Sequence, residues 1–345
     1  MSVKPTKIVQ GLKPYVPGEQ PQDGGFIKLN TNENPYPPAP EVIEAFRRAA
    51  PERLRLYPDP LCVELRTLLA ERHKGSVSQI FVGNGSDEVL RLLFQAYLGA
   101  RDAVAMVNPT YSLYPVIAAQ LGVRTKIFEL GPDGEMPDFP ALSSFKVFII
   151  ASPNPPYGTF YPEETLERLI KSAPSTLFII DEAYADFASG DATALVARHQ
   201  NVVICRSYSK AFSLAGVRLG YAFGTEGVIA NLFKLKDSYN VDYLSQTLGC
   251  AAVRAQAYYA GLAARIREDR AFLTTELRRL SFKVYDSQGN FIFAENGDGG
   301  SLYESLKKKM ILVRYFDTPR LRTGVRITIG ARKELEALLK ALQDK

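Results

Sequence analysis

A chain of 345 residues is too long for one small core and calls for a large domain with a smaller companion. With 46% hydrophobic and 23% charged residues it has the composition of an ordinary globular protein, and its net charge of +5, spread without long basic runs, excludes nucleic acid as the main partner. Cys62, Cys205 and Cys250 have neither disulfide-framework nor metal-ligand spacing, and no apolar run reaches the ~18 residues of a membrane span, so the expectation is a cytoplasmic chain with reduced thiols, no metal site and no membrane partner.

Residues 1–40 are rich in Pro, Gly and Asn without a sustained period and read as an extended arm. Helical spacing follows at 41–50 and 61–73, around the Pro58-Asp59-Pro60 turn. From Gln79 the pattern changes to short apolar runs between helical stretches: QIFVG, AVAMV, KVFIIA, TLFIID, NVVICR and LGYAFG. Runs this short and β-branched fit buried strands of a mostly parallel sheet with helices on both faces, an α/β fold whose chemistry sits in loops after the strands. Residues 241–280 read as one long helix. KVYDSQGNFIFAE, ILVRYF and GVRITIG then predict strands, with helices at 301–309 and 331–342, a smaller α+β module. The organisation expected is an arm at 1–40, a large domain at 41–245 with a helical lead-in at 41–75, and a C-terminal domain at 246–345.

Three strings carry chemistry. In RSYSKAFSLAGVRLGY, Lys210 follows a strand and sits among Ser207, Ser209 and Arg218. A lysine attacks an aldehyde when desolvation or cations leave part of it neutral, and hydroxyls beside an arginine suit a phosphate. TLFIIDEAYADF ends a buried run on Asp181, with Tyr184 three residues on. Such a carboxylate can hold a pyridine nitrogen protonated. VGNGSDEVL turns through Gly83 and Gly85 into a helix near Ser86, whose free amides, with that of Asp87, suit an anion. It lacks the third glycine of a dinucleotide loop and the lysine of a Walker loop. Taken singly, the three strings read equally as a solvated turn, a capping aspartate and a plain helix start. His73 and His199 match no functional string and read as helix-end or surface residues.

Taken together and in order, LKPYVPG, LNTNENP, YPDP, GNGSDEVL, PTYSLY, SPNPPYG, DEAYADF, SYSKAFSLAGVRLG, LVRYF and VRITIG resemble the fold type I pyridoxal-5'-phosphate (PLP) enzymes, most closely the histidinol-phosphate aminotransferases. The resemblance covers nearly the whole chain. It implies a seven-stranded-type sheet in the large domain and a homodimer with shared active sites. The reaction implied belongs to histidine biosynthesis and moves an amino group between L-histidinol phosphate and 2-oxoglutarate/glutamate. By the same resemblance Lys210 bonds to the cofactor aldehyde, Asp181 meets the ring nitrogen, and Tyr184 with Asn154 meets the ring hydroxyl. Tyr111 stacks on the ring, while Ser86, Asp87, Ser207, Ser209, Arg218 and the neighbouring subunit's Tyr57 hold the phosphate. Tyr15, Asn34, Arg314 and Arg326 bind substrate.

One string departs from the pattern. Relatives commonly read Asn-Asn-Pro-Thr-Gly where this chain has Asn154, Pro155, Pro156, Tyr157 and Gly158. Proline cannot donate a hydrogen bond, so either Asn154 reaches the ring hydroxyl from one residue earlier or Tyr184 serves it alone. Tyr157, bulkier than threonine, is expected to narrow the site. Aromatic amino acid aminotransferases and threonine-phosphate decarboxylase share most of these strings. A ligand-sensing module of the same fold, fused to a DNA-binding segment, is the non-enzymatic alternative.

Overall fold

The computed structural model describes residues 3–12, 18–21 and 24–343. A seven-stranded sheet runs in the order Ile80–Asn84, Leu219–Gly224, Val202–Ser207, Leu177–Asp181, Val147–Ala151, Ala103–Asn108, Arg124–Glu129. From Val202–Ser207 to the Arg124–Glu129 edge the pairing is parallel, and Leu219–Gly224 is antiparallel to both its neighbours. Six of these strands coincide with the six apolar runs. The seventh, RTKIFE, is the terminal strand and buries only Phe128, so nothing demands an apolar run there.

Pleating sends successive side chains to opposite faces. Phe148, Ile150, Phe178, Ile180 and Ile204 join one buried cluster with the helices Val63–His73, Glu163–Ser172 and Tyr243–Arg254. Val147, Ile149, Leu177, Ile179 and Val203 join the other, beneath Gly85–Tyr97, Leu113–Gln120 and Glu226–Phe233. At about 1.5–3 kcal/mol for each fully buried Ile, Leu or Phe, the two faces hold the strands in register. Asn108, Ala151, Asp181 and Ser207 therefore come out along one carboxyl edge, where open α/β sheets bind ligands.

The single helix expected over 241–280 is two, Tyr243–Arg254 and Gln256–Arg279, separated at Ala255. The second packs Ile266, Leu273 and Leu277 against an antiparallel sheet ordered Arg314–Tyr315, Gly324–Thr328, Phe291–Glu295, Lys283–Val284. The ILVRYF run divides: Ile311–Leu312 pairs in parallel with Ile27–Lys28 of the arm, and Arg314–Tyr315 enters the small sheet. The arm is not extended throughout. It forms a short helix, Lys7–Gly11, whose Val9 amide donates to the Thr6 hydroxyl. No helix among the described residues is long and apolar enough to cross a membrane.

Candidate active site

At the carboxyl edge a cavity of about 150 Å3 is lined by Ser86, Asp87, Tyr111, Asp181, Tyr184, Ser207, Ser209, Lys210 and Arg218, among others. Its cup is made by close packing. A Cβ on Gly220 would lie 2.3 Å from the Ser86 amide nitrogen, so only glycine lets the strand Leu219–Gly224 come this near to the helix start. Gly85 takes a φ of +77°, the turn that points the first amides of Gly85–Tyr97 at the cavity. Arg218 reaches across, donating to Asp87 Oδ2 at 3.1 Å and Ser209 Oγ at 3.3 Å. The Ser209 amide donates to Ser207 Oγ at 3.1 Å. Two hydroxyls, a helix start and a guanidinium thus face one point, a setting for a doubly charged phosphate.

Asp181 ends its strand 4% exposed. The Tyr114 hydroxyl donates to Oδ2 at 2.7 Å and the Ala183 amide to Oδ1 at 3.1 Å. Burial raises its carboxyl to about 6 against the pull of these two donors. Among the described residues it forms no ion pair, and a protonated ring nitrogen in the cavity would supply the missing cation. Across the cavity, burial, and after it the Arg326 guanidinium, lower the Lys210 amine to about 8. Its Nζ donates to the Thr31 carbonyl at 3.0 Å. The pair offers an amine able to react with an aldehyde and a carboxylate in want of a cation.

This cavity opens into a larger one of about 760 Å3 that shares Thr31, Tyr111, Pro155, Tyr184, Lys210 and Arg218 with it. Arg314 and Arg326, on adjacent strands and paired in register, line the larger space. Arg326 Nη2 also donates to the Asn30 carbonyl at 2.8 Å. Two guanidiniums at the mouth of an amine-bearing cavity suit a substrate carrying a carboxylate or a phosphate.

Not every expected residue comes to the site. Asn154 is fully buried, with its amide donating to the Pro109 carbonyl at 2.8 Å and its oxygen accepting from Thr110 at 2.6 Å. Pro155 lines the cavity, whereas Asn154, expected at a ring hydroxyl, lines neither cavity. Asn34 lines neither cavity. Its amide ties the arm to the Ala211 carbonyl at 3.2 Å. Tyr157 does not narrow the site: buried against Tyr285, Phe293 and Leu321, it stacks on Tyr285 at 4.3 Å. Tyr57 lines neither cavity of its own chain and is 79% exposed. Tyr15 lies outside the described residues.

Residues given no role in the sequence analysis are Thr31 and Asn32 of LNTNENP, Tyr114 of PTYSLY, and Arg320. Tyr114 had a signal, an aromatic three residues after Tyr111, one helical turn away. Arg320 lines the large cavity and bonds Glu129 at 3.2 Å, with Nε on the Tyr157 hydroxyl at 3.4 Å. His73 is a helix-end residue bonded to Tyr221 at 2.9 Å, and burial lowers it to about 3, so it stays neutral.

The chain matches the family Aminotransferase class I and II over residues 25–342. It is 43% identical to a histidinol-phosphate aminotransferase of Geobacter sulfurreducens over 342 residues, 97% of each chain. To that of Microcystis aeruginosa it is 41% identical over 343 residues, 99% of this chain and 98% of the other. The crystal structure of histidinol-phosphate aminotransferase from Sinorhizobium meliloti in complex with pyridoxal-5'-phosphate superposes with a TM-score of 0.89. It is 24% identical, with 98% of this chain and 96% of that one covered, a likeness of fold.

Proposed function

The chain belongs to the aminotransferase class I and II family, and from that premise we propose that it exchanges an amino group between L-histidinol phosphate and 2-oxoglutarate/glutamate, with PLP as cofactor. The carrying observation is that Lys210 and Asp181 face one cavity whose mouth bears Arg314 and Arg326. The cavity fits the cofactor group by group: a cup for its phosphate, an unpaired buried carboxylate for its ring nitrogen, and an amine for its aldehyde. When bound, PLP supplies an electron-withdrawing ring that accepts the electron pair left as a substrate C–H proton departs.

Around it each side chain has one task. Asp181 holds the ring nitrogen protonated, and Tyr114 keeps Asp181 ionised by donating to it. Lys210 Nζ carries the proton to and from the amine-bearing carbon, work suited to an amine near pH 8. Tyr111 covers the ring face and excludes water. Ser86, Asp87, Ser207, Ser209 and Arg218 hold the phosphate, and Tyr184 meets the ring oxygen without help from Asn154. Arg326 and Arg314 take the substrate phosphate, and Arg326 also takes the glutamate carboxylate.

The test is a set of single half-reactions. Purified enzyme loaded with PLP is mixed with histidinol phosphate, glutamate, phenylalanine, tyrosine or threonine phosphate, and loss of the PLP absorbance is followed. Conversion fastest with histidinol phosphate and reversed by 2-oxoglutarate is expected. Preference for an aromatic amino acid, or release of carbon dioxide from threonine phosphate, would replace the substrate.

The working unit is a homodimer in the cytoplasm. Tyr57 stacks on Tyr239 at 4.2 Å within an exposed apolar stretch that includes Leu54 and Leu56, a surface suited to a second copy, and three buried free thiols fit a reducing compartment. From there Tyr57 reaches the neighbour's cofactor phosphate. Mixing Tyr57→Phe and Lys210→Ala chains should restore turnover at limiting PLP, because each heterodimer holds one intact site. No recovery after confirmed subunit exchange would place Tyr57 elsewhere.

A further inference from the structure

Tyr184 lines both cavities, and what decides whether its hydroxyl acts as donor or acceptor is its own partner. That partner is Asn32, whose Nδ2 donates to the Tyr184 oxygen at 3.0 Å. The direction is set by a closed circuit. The Asn32 amide N–H donates to Thr328 Oγ1 at 2.9 Å, and that hydroxyl donates to Asn32 Oδ1 at 3.2 Å. With Oδ1 used as acceptor, Nδ2 is the atom left for Tyr184. The Asn290 amide holds the Asn32 carbonyl at 3.0 Å, and the residue is 1% exposed. Its φ of +55° lies in the left-handed region, which asparagine enters more readily than other side chains.

Among the described residues nothing accepts the Tyr184 proton. An oxygen that receives a hydrogen bond from Asn32 keeps its own O–H for the cavity. Glu129, Asp87 and other acceptors lie along the cavity walls, but none is bonded to this phenol. We propose that Asn32 is a positioning residue for the transfer reaction: it spends the Tyr184 oxygen as an acceptor and so aims the phenolic proton at the ring oxygen of PLP. This rests on the reading that PLP occupies the cavity with its ring oxygen beside Tyr184. Since Asn154 is turned to Pro109, Tyr184 is the ring oxygen's one side-chain donor among the described residues, and its orientation falls to Asn32.

The consequence is readable in the cofactor's colour. A hydrogen bond to the ring oxygen withdraws electron density that would otherwise stabilise a proton on the Lys210 nitrogen joined to the cofactor. Losing that bond makes the nitrogen more basic and moves the pH midpoint of the absorbance change upward. The charged groups around Tyr184 are Lys210, Asp181, Asp87 and Arg326, and none is altered by the substitutions used.

The experiment titrates the absorbance of PLP-loaded wild type, Tyr184→Phe, Asn32→Asp, Asn32→Gly and the Asn32→Asp/Tyr184→Phe pair. Asn32→Gly keeps the left-handed backbone without the amide, and the thermal midpoint of each apoprotein reports folding. Tyr184→Phe should raise the midpoint by about one unit, a tenfold change in proton affinity. Asn32→Asp, a carboxylate that accepts the phenol's proton, should raise it comparably, and Asn32→Gly by less. In the Tyr184→Phe background Asn32→Asp should add nothing, because its effect passes through the phenol. An equal further shift in the pair would show a direct attraction of the new carboxylate for the protonated nitrogen and overturn the inference, as would wild-type midpoints in both Asn32 variants beside a shifted Tyr184→Phe. A wild-type midpoint in Tyr184→Phe itself would overturn the placement of the ring oxygen and the inference with it.

Discussion

The two walls of the cavity are made in different ways. The wall carrying Asp181, Ser207 and Lys210 is the carboxyl edge of a buried sheet, and its polar groups stand where strand register and two hydrophobic faces put them. The wall carrying Arg314 and Arg326 belongs to short strands of the small sheet and is stitched to the arm by polar contacts. Asn32 meets Thr328 across 296 residues of sequence, and Arg326 meets Asn30 across the same distance. A wall set by packing gives its groups little freedom, whereas a wall set by hydrogen bonds can yield when one is lost. Damage to the first is expected to be uniform over substrates and damage to the second graded.

Lys210→Ala is the severest case. Turnover should fall on the order of 10^4-fold with histidinol phosphate and with glutamate alike, the upper range for one positioned acid–base group. Steady-state rates with both substrates check this, and retained turnover would remove Lys210 from the chemistry. Asp181→Asn keeps the shape and deletes the charge. A charge-assisted bond of about 1.5–3 kcal/mol translates to a kcat about 10- to 150-fold lower, again in both half-reactions. A loss confined to one substrate would show that this wall is not the cofactor's.

On the stitched wall the two arginines should part company. Arg326→Ala is expected to slow both half-reactions about 10-fold or more, and Arg314→Ala mainly that of histidinol phosphate. Equal damage by Arg314→Ala to glutamate would erase the division between them. The smallest effect concerns the packed wall again. Burial, then Arg326, lower the Lys210 amine to about 8, so its neutral fraction rises about fivefold between pH 7 and pH 8 and levels off above. The rate at which apoenzyme captures PLP should follow that curve. A rate still climbing tenfold per unit at pH 9 would mean a solvated lysine.

The packed wall was legible in the sequence because burial writes itself into composition: LFIID and VVICRS are apolar for four residues and then turn polar, and the last residue of each, Asp181 and Ser207, is at the site. The stitched wall was less so. LNTNENP drew attention to Asn34, yet the side chain that bonds Tyr184 is two residues earlier, a choice made by the left-handed turn at Asn32 and by Thr328. The family resemblance put Asn154 beside the ring, but the carbonyl of Pro109 that takes its amide lies in another loop. Tyr157 looked like bulk in the site because its stacking partner, Tyr285, lies 128 residues on, just after the strand Lys283–Val284. Pairing across distant segments leaves no period to read.

The terminal strand Arg124–Glu129 decides how the molecule behaves at high concentration. A strand at the rim of a sheet offers unpaired backbone to any other strand it meets, and this one alternates Arg124, Lys126 and outward-facing side chains along five exposed positions. A second copy docked in parallel register would set Arg124 against Arg124 and Lys126 against Lys126, like charges that repel. The same charges that hid the strand from an apolar search thus disfavour in-register parallel pairing of neighbouring molecules through it.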